Sequence, residues 1–247
     1  MDLIVTHVNA DFDGLSSLVA GKKLYPGAPK PVNIAKRLRA ILPADIIRLI
    51  RSIDRISRQN NFNAFLVGGF VRDILLGVKN FDLDIVVEGD AIKVAGALAE
   101  ALGGSLTPHR RFGTATVALQ RTAKNKRPDS GRIKIDFATA RRERYERPAA
   151  LPTVEFSTVR EDLYRRDFTI NAMAIRISRN NFGQLIDFFR GQRDIQNRRI
   201  KVLHDNSFID DPTRIFRAAR FEQRFNFRID PRTEDLIREA VKRKMLD

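Results

Sequence analysis

Two aspartates one residue apart, Asp82 and Asp84, interrupt an otherwise apolar run, FDLDIVV. Side chains alternate across a strand, so both carboxylates are expected on one face, with Phe81, Leu83 and Ile85 on the other. A half-buried pair of like charges is unfavourable unless cations offset it, and the pair therefore implies divalent metal. Upstream, Gly68 and Gly69 are expected to close a strand and open a short helix whose first backbone N–H groups are free for phosphate, with Arg72 and Asp73 in its first turn. A diglycine corner, a helix bearing Arg and a D-x-D strand suit phosphoryl transfer from a nucleotide, because metals bridge triphosphate oxygens and an attacking hydroxyl. Alone, D-x-D equally describes a polar edge strand; the glycines, Arg72 and Asp73 in the same stretch favour the chemistry. Asp136, in RIKIDFA, is an outside candidate that could approach the pair from a neighbouring strand, although beside Lys134 it could equally be structural.

Two later segments add candidates. In RRDFTINA, Asp167 reads as a helix N-cap with Asn171 one turn on. Arg166 offers forked donors to a triphosphate or ribose, and Asp167 or Asn171 suits ribose hydroxyls. In DDPTRIFRAARF, Arg214, Arg217 and Arg220 recur every third residue as a slanted basic stripe, one turn after Asp211, with Ile215, Ala218, Ala219 and Phe221 expected on the buried side. A solvated charged face explains such a stripe. The Asp211–Arg214 pair permits something sharper: a carboxylate accepts from the exocyclic amine of cytosine or adenine while a guanidinium donates to the adjacent ring acceptor, an arrangement that uracil and guanine do not match.

The elements that must position these residues follow from patterning. Residues 1–30 (strand LIVTHV, turn NADFDG, helix LSSLVAGKKL) form one β-α unit, closed by PGAPKP. Apolar residues recur at helical spacing from Val32 to Asn60, with Pro43 starting the second of two helices, which reads as a helical linker over residues 31–60. A head over 61–170 then alternates short elements: strand 63–67, helix 70–76 stopped by Gly77, strand 82–88, helix 91–102 capped by Asp90, and strands 113–120 and 132–138 joined by the basic loop RTAKNKRPDSG. Asp162 to Ala174 is expected as helix, followed by a hairpin around Asn180 to Gly183. A mainly α-helical second domain is expected over 171–247, with Pro212 and Pro231 opening helices. The fold class is α/β (α+β), a mixed sheet with packed helices followed by a helical neck.

Composition bounds the rest. With 45 Lys plus Arg against 30 Asp plus Glu, the net charge of +15 favours a polyanionic partner. No apolar run approaches the length of a membrane span, and the N-terminus lacks the pattern of a secretory signal. Zero cysteines exclude disulfides and zinc–thiolate sites, so a cytoplasmic protein is expected.

The ordered motifs LVGGFVRDILLG, DLDIVV, RRDFTINAMA, LIDFFRGQRDI and DDPTRIFRAARF resemble the class II tRNA nucleotidyltransferase (CCA-adding enzyme) and bacterial poly(A) polymerase family over roughly residues 45–225. The resemblance implies a polymerase-β-like head and a helical neck. It implies template-independent addition of CMP and/or AMP from CTP or ATP to a tRNA or other RNA 3′ end, with poly(A) synthesis as the alternative. It assigns Asp82 and Asp84 to two Mg²⁺ ions, Gly69 and Arg72 to the nucleotide phosphates, Arg166 to the nucleotide, Asp211 and Arg214 to the base edge, and Arg217 and Arg220 to the rest of the nucleotide pocket; Gly68, Asp73 and Asp167 complete the expected nucleotide-binding set. One departure is the acidic pair Asp210–Asp211, usually Glu-Asp in the family. Members also continue past the neck into helical body and tail domains that hold tRNA, whereas this sequence stops at Asp247, so a nucleotide- or RNA-binding fragment without turnover is a rival expectation. THVNADFDG resembles the first metal motif of DHH-type phosphoesterases, with His7, Asp11 and Asp13 as ligands; the later motifs of that family are absent, and residues 1–30 are expected to be a remnant.

Overall fold

The computed structural model describes residues 32–79, 82–120, 132–144 and 153–245. The expectations for residues 1–30, for the basic loop after residue 120 and for Phe81 lie outside the described residues. By contacts, residues 33–247 form one compact unit.

Two helices, α1 (Ala35–Ile41) and α2 (Ala44–Gln59, with Pro43 as N-cap), lead into β1 (Asn63–Val67) and α3 (Gly68–Leu76). Then come β2 (Leu83–Glu88), α4 (Ala91–Leu102), β3 (Ser105–His109), β4 (Thr114–Gln120) and β5 (Arg132–Thr139). The small pair β6 (Arg141–Arg144) and β7 (Thr153–Phe156) precedes α5 (Val159–Tyr164), a 3₁₀ turn (Thr169–Asn171) and the strands β8 (Ala174–Arg176) and β9 (Leu185–Ile186). The remainder is α6 (Gly191–Gln196), β10 (Arg199–Ile200), α7 (Ser207–Asp210), α8 (Arg214–Phe225), β11 (Arg228–Ile229) and α9 (Pro231–Lys242). Asp90 caps α4 by accepting from Lys93 N at 2.9 Å, and Asp230 caps α9 ahead of Pro231.

One seven-stranded sheet runs β3-β4-β5-β2-β1-β8-β9, with β2 and β5 parallel and the other pairs antiparallel. Alternation sorts its faces. Leu66, Leu83, Ile85, Val117, Ile135 and Phe137 enter the main core with Ile46, Ile50 and Ile53 of α2 and Val94 and Leu98 of α4, whereas Asp84, Val86, Asp136 and Thr116 take the alternate positions on the opposite face. Because α2 packs on β1 and α4, residues 44–59 are part of the core layer and not a linker.

Two expectations are corrected. The span Asp162–Ala174 is not one helix: α5 ends at Tyr164, Phe168 bridges Val202, and Ala174 pairs as a strand with Val67. Phe168, Ile170, Met173 and Ile175 enter the main core while Leu163, Ala172 and Ala174 enter a second buried cluster, which suits a core-crossing segment better than an amphipathic helix with one apolar stripe. For the same reason the head sheet does not stop near residue 170, since β8 and β9 extend it into the stretch expected to begin the helical neck. Beyond α6 the described residues are mainly helical. The missed strand β3, SLTPH, is an exposed edge that tolerates Pro108 and shows no apolar alternation.

Candidate active site

The corner between β1 and α3 is left-handed at Gly68, φ +67°, where only glycine is unstrained. A Cβ there would stand 2.6 Å from Arg166 Nη1 and 3.8 Å from Asp84 Oδ2, so the missing side chain makes the space in which a guanidinium lies beside the carboxylate. Arg166 is held by Asp162, which is fully buried and accepts from Arg166 Nη2 at 3.0 Å and from Arg165 Nη2 at 2.7 Å. Burial alone would raise the Asp162 carboxyl; Arg166 and Arg165 outweigh it and hold it below the usual carboxylate range. Among the described residues, Arg166 Nε and Arg141 Nε are buried without a hydrogen-bond partner, donor capacity left over on two arginines of one cleft.

Asp84, on β2, is held above the usual carboxylate range. Burial pushes it up, Arg166 pulls it down, and Asp136 and Asp82 push it up again. Asp82 precedes the first residue of β2 and is exposed, close enough to act on Asp84. Parallel register sets Asp136 directly beside Asp84, and Asp136 accepts from Thr116 Oγ1 at 2.6 Å and Lys134 Nζ at 3.0 Å. Among the described residues no group of three or more acidic or histidine side chains is placed to hold a metal ion. Two carboxylates nevertheless fit magnesium, which takes one or two protein carboxylates and completes its shell with water and substrate phosphate oxygens.

From this corner a cleft of about 780 Å³ extends to α8, lined by Gly69, Arg72, Asp84, Arg166, Asp167, Asp211, Arg214 and Arg217 among others. Seven arginines face four carboxylates around it, and Arg214 Nε lies 3.7 Å from Asp211 Oδ2. Arg214 also donates to Ser207 Oγ and to the Arg165 carbonyl, each at 2.8 Å, so its guanidinium is oriented before any ligand arrives. Asp211 Oδ1 accepts from Thr213 N at 3.0 Å, a turn that delays α8 to Arg214, two residues after Pro212. Helical drift explains the stripe: three residues turn about 300°, so each arginine falls back about 60°. Arg214 is buried with Ala218 and Phe221, Arg217 is at the cleft edge, and Arg220 is exposed outside the lining; Arg214, expected on the polar side, is thus on the packed side, while Ala219 is exposed.

Other residues expected around the nucleotide are occupied internally. Arg72 is only 4% exposed: its Nη1 donates to Asn171 Oδ1 at 2.6 Å, its Nε to Asp73 Oδ1 at 2.8 Å, and its guanidinium lies 4.6 Å from the Phe225 ring centroid. Asp73, 1% exposed, therefore orients Arg72 and does not line the cleft. Asn171 Nδ2 donates to Asp167 Oδ1 at 2.9 Å, and Arg217 Nε donates to Asp167 Oδ2 at 2.8 Å. Asp167 is no α-helical N-cap; it is one link of a line Asp73–Arg72–Asn171–Asp167–Arg217 that ties the diglycine helix to α8. Gly191, where a Cβ would meet the Thr169 carbonyl oxygen at 2.2 Å, and Asp194, which accepts from Thr169 Oγ1 at 2.6 Å, seat the turn that carries Asn171. Sequence reasoning missed Arg111, Phe112, Arg141, Glu143 and Arg165, all in the lining, because only tertiary folding brings β6 and the turn before β4 to the cleft.

The Poly A polymerase head domain family matches residues 64–201, more than half of the sequence. The chain belongs to this family. It is 46% identical over 206 residues to an A-adding tRNA nucleotidyltransferase of Geobacter sulfurreducens, covering 83% of this chain and 22% of that one. It is 43% identical to one of Halalkalibacterium halodurans, covering 83% and 45%. Among solved structures, the apo form II of a CCA-adding enzyme superposes with a TM-score of 0.80 at 49% identity, over 87% of this chain and 48% of that one, and a CCA-adding enzyme complexed with CTP gives 0.75 at 45% identity over 87% and 46%. The chain thus spans less than half the length of these relatives. No helix among the described residues is long and apolar enough to cross a membrane.

Proposed function

We propose that this chain carries the chemistry and the base selection of a template-independent RNA nucleotidyltransferase that adds AMP and/or CMP from ATP or CTP to a tRNA 3′ end. One observation carries the reading: a single cleft joins a burial-perturbed carboxylate, Asp84, to the preset Asp211–Arg214 pair. The triphosphate lies over the Gly68–Gly69 corner against Arg166, and the base edge meets Asp211 and Arg214. Asp211 accepts an exocyclic amine and Arg214 donates to the ring nitrogen beside it, which selects adenine and cytosine over guanine and uracil. In the reaction the RNA 3′-hydroxyl oxygen bonds to the α-phosphorus, the bond from that phosphorus to the α,β-bridging oxygen breaks, pyrophosphate leaves with the electron pair, and the hydroxyl proton passes to solvent or a nearby base. Asp82 and Asp84 would hold Mg²⁺, which supplies a lower hydroxyl pKa and charge neutralisation at the leaving pyrophosphate. Arg166, kept in place by Asp162, orients phosphate, while Arg72 and Asn171 fix the distance between the two ends of the cleft.

The relatives' names, A-adding at 43–50% identity and CC-adding for a Deinococcus radiodurans protein at 41%, support a tRNA acceptor and favour AMP. The test offers tRNA transcripts ending before CCA, after C and after CC, each with one labelled nucleotide. Incorporation of AMP after CC, or of CMP before it, fits the reading; long A tracts would indicate poly(A) synthesis. Nucleotide binding without any product would indicate a binding fragment, consistent with the short span relative to its relatives.

A further inference from the structure

The outer face of α2 carries charge of one sign. Ile46, Leu49, Ile50, Ile53 and Ile56 are buried, while Arg48, Arg51, Arg55 and Arg58 are exposed. At about 100° and 1.5 Å per residue, these four arginines fall within a sector of about 80° and along about 15 Å of helix axis. Beneath α2 the sheet turns Leu83 and Ile85 into the core, and Asp84 takes the opposite face. The stripe therefore stands on the side of the sheet turned away from the cleft.

A solvated helix face mixes signs at spacings of three and four, as α9 and its surroundings do. There Arg238 pairs with Glu234 at 2.6 Å, Arg243 with Glu239, and Arg232 with Asp205 at 2.8 Å. On α2 the same spacings set cation beside cation. Arg48 and Arg51, and Arg55 and Arg58, are three apart, and Arg51 and Arg55 are four apart, each a repulsion that weakens the helix. Of the two acidic residues of α2, Asp45 is in the first turn, and Asp54 is buried with Arg58 at 3.2 Å. Apolar packing of the inner face holds α2 in place, so the repulsion is a local conflict that the fold does not require.

We propose that this stripe binds the sugar–phosphate backbone of the RNA substrate away from its reacting end and captures RNA without reading its sequence. Guanidinium forks match phosphate oxygens, and about 15 Å spans about four phosphates of one duplex strand at about 3.4 Å each. A protein partner fits less well, because a protein interface needs an apolar centre and no large apolar residue is exposed on α2. A phosphate backbone needs only the cations, and the chain's net charge of +15 has the same sign. The identity of the RNA rests on the nucleotidyl-transfer reading; the stripe adds to it a capture surface remote from the chemistry.

The test is binding of a labelled tRNA transcript by the full chain across a salt series, with ATP affinity and Tm measured in parallel. The combined variant Arg48→Gln, Arg51→Gln, Arg55→Gln should bind RNA about tenfold or more weakly at low salt. Its slope of log K against log salt should shrink by about 2–3, close to one per lost phosphate contact. ATP affinity should stay within about twofold, and Tm should not fall, because the repulsion along α2 is relieved. The combined variant Arg232→Gln, Arg238→Gln, Arg243→Gln removes the same charge elsewhere and should change the slope by less than about 1. Should the first variant fail to fold, Arg51→Gln alone carries the comparison, with a slope change of about 1. An unchanged slope, an equal loss in the second variant, or no RNA binding by the unaltered chain would overturn the assignment. Absence of ATP binding by the unaltered chain would instead refute the nucleotidyl-transfer reading itself.

Discussion

Replacing Gly68 by alanine separates backbone geometry from chemistry at the diglycine corner. At φ +67° an L side chain carries a left-handed penalty of about 1–2 kcal/mol. The new Cβ would also lie 2.6 Å from Arg166 Nη1. That guanidinium moves only by loosening its 3.0 Å bond to the fully buried Asp162, a further loss of about 1 kcal/mol. Gly68→Ala should therefore lose about 2–3 kcal/mol, a Tm drop of about 4–12 °C for a chain of this size. Gly69→Ala is the control: its Cβ would stand 3.4 Å from Arg72 Nη2 without a positive φ, and alanine's helical advantage of about 0.5–1 kcal/mol leaves it near wild type. In an Arg166→Ala background the clash is gone, so the Gly68→Ala penalty should shrink to the left-handed part, about 1–2 kcal/mol. Urea and thermal unfolding of the four-protein cycle reads this directly. Equal losses for the two glycines, or a Gly68→Ala penalty unchanged without Arg166, would refute the picture of a guanidinium lodged in the glycine's place.

Asp84→Asn should abolish incorporation yet be at least as stable as wild type, because the carboxyl it removes is held up by burial. A raised folded-state pKa means that ionisation penalises the fold. The stability advantage of Asp84→Asn should be absent in acid, where both states are protonated, appear as pH rises through the ordinary carboxylate range, and stay constant above the raised native value. Asp162→Asn should behave oppositely, destabilised by about 3–5 kcal/mol at neutral pH. That gap should close only as pH falls through the lowered native value, below the usual carboxylate range. Asn171→Ala should reduce ATP affinity about tenfold or more and lower Tm, since it removes the acceptor of Arg72 Nη1 and one of the donors to Asp167 and so breaks the line between them; an unchanged affinity in nucleotide titrations would argue against the buried line as a positioning device. Asp211→Asn should admit UTP and GTP in misincorporation assays while leaving Tm within a few degrees, whereas Arg214→Ala should also lose about 2 kcal/mol because it leaves the buried Ser207 hydroxyl and the part-buried Arg165 carbonyl without their donor.

The layout of the candidate site was legible because its parts are local. The D-x-D period, the diglycine corner and the Asp-Pro-Thr-Arg entry to α8 are each written within a few residues, as are β1, α4 and the cap at Asp90. What was not legible depends on contacts distant in sequence. Arg72 and Asp73 look like phosphate ligands by position, yet an asparagine 99 residues away and the rings of α8 take the arginine inward. The segment after Tyr164 carries buried residues on every side, and its helical pattern gave way to a bridge, a turn and a strand once β1 offered an edge. Arg141 and Glu143 have no motif of their own around them, and Arg165 opens RRDFTINA without a role readable from it; all three line the cleft because β6 and the end of α5 fold over it.

The most direct measurement is anomalous diffraction from crystals grown with Mn²⁺ and a non-hydrolysable ATP analogue. Density for manganese between the carboxylates of Asp82 and Asp84, with the triphosphate over Gly68 and Gly69 and adenine against Asp211 and Arg214, is the result expected. Manganese bound elsewhere, or a nucleotide seated away from that corner with both aspartates unengaged, would contradict the account.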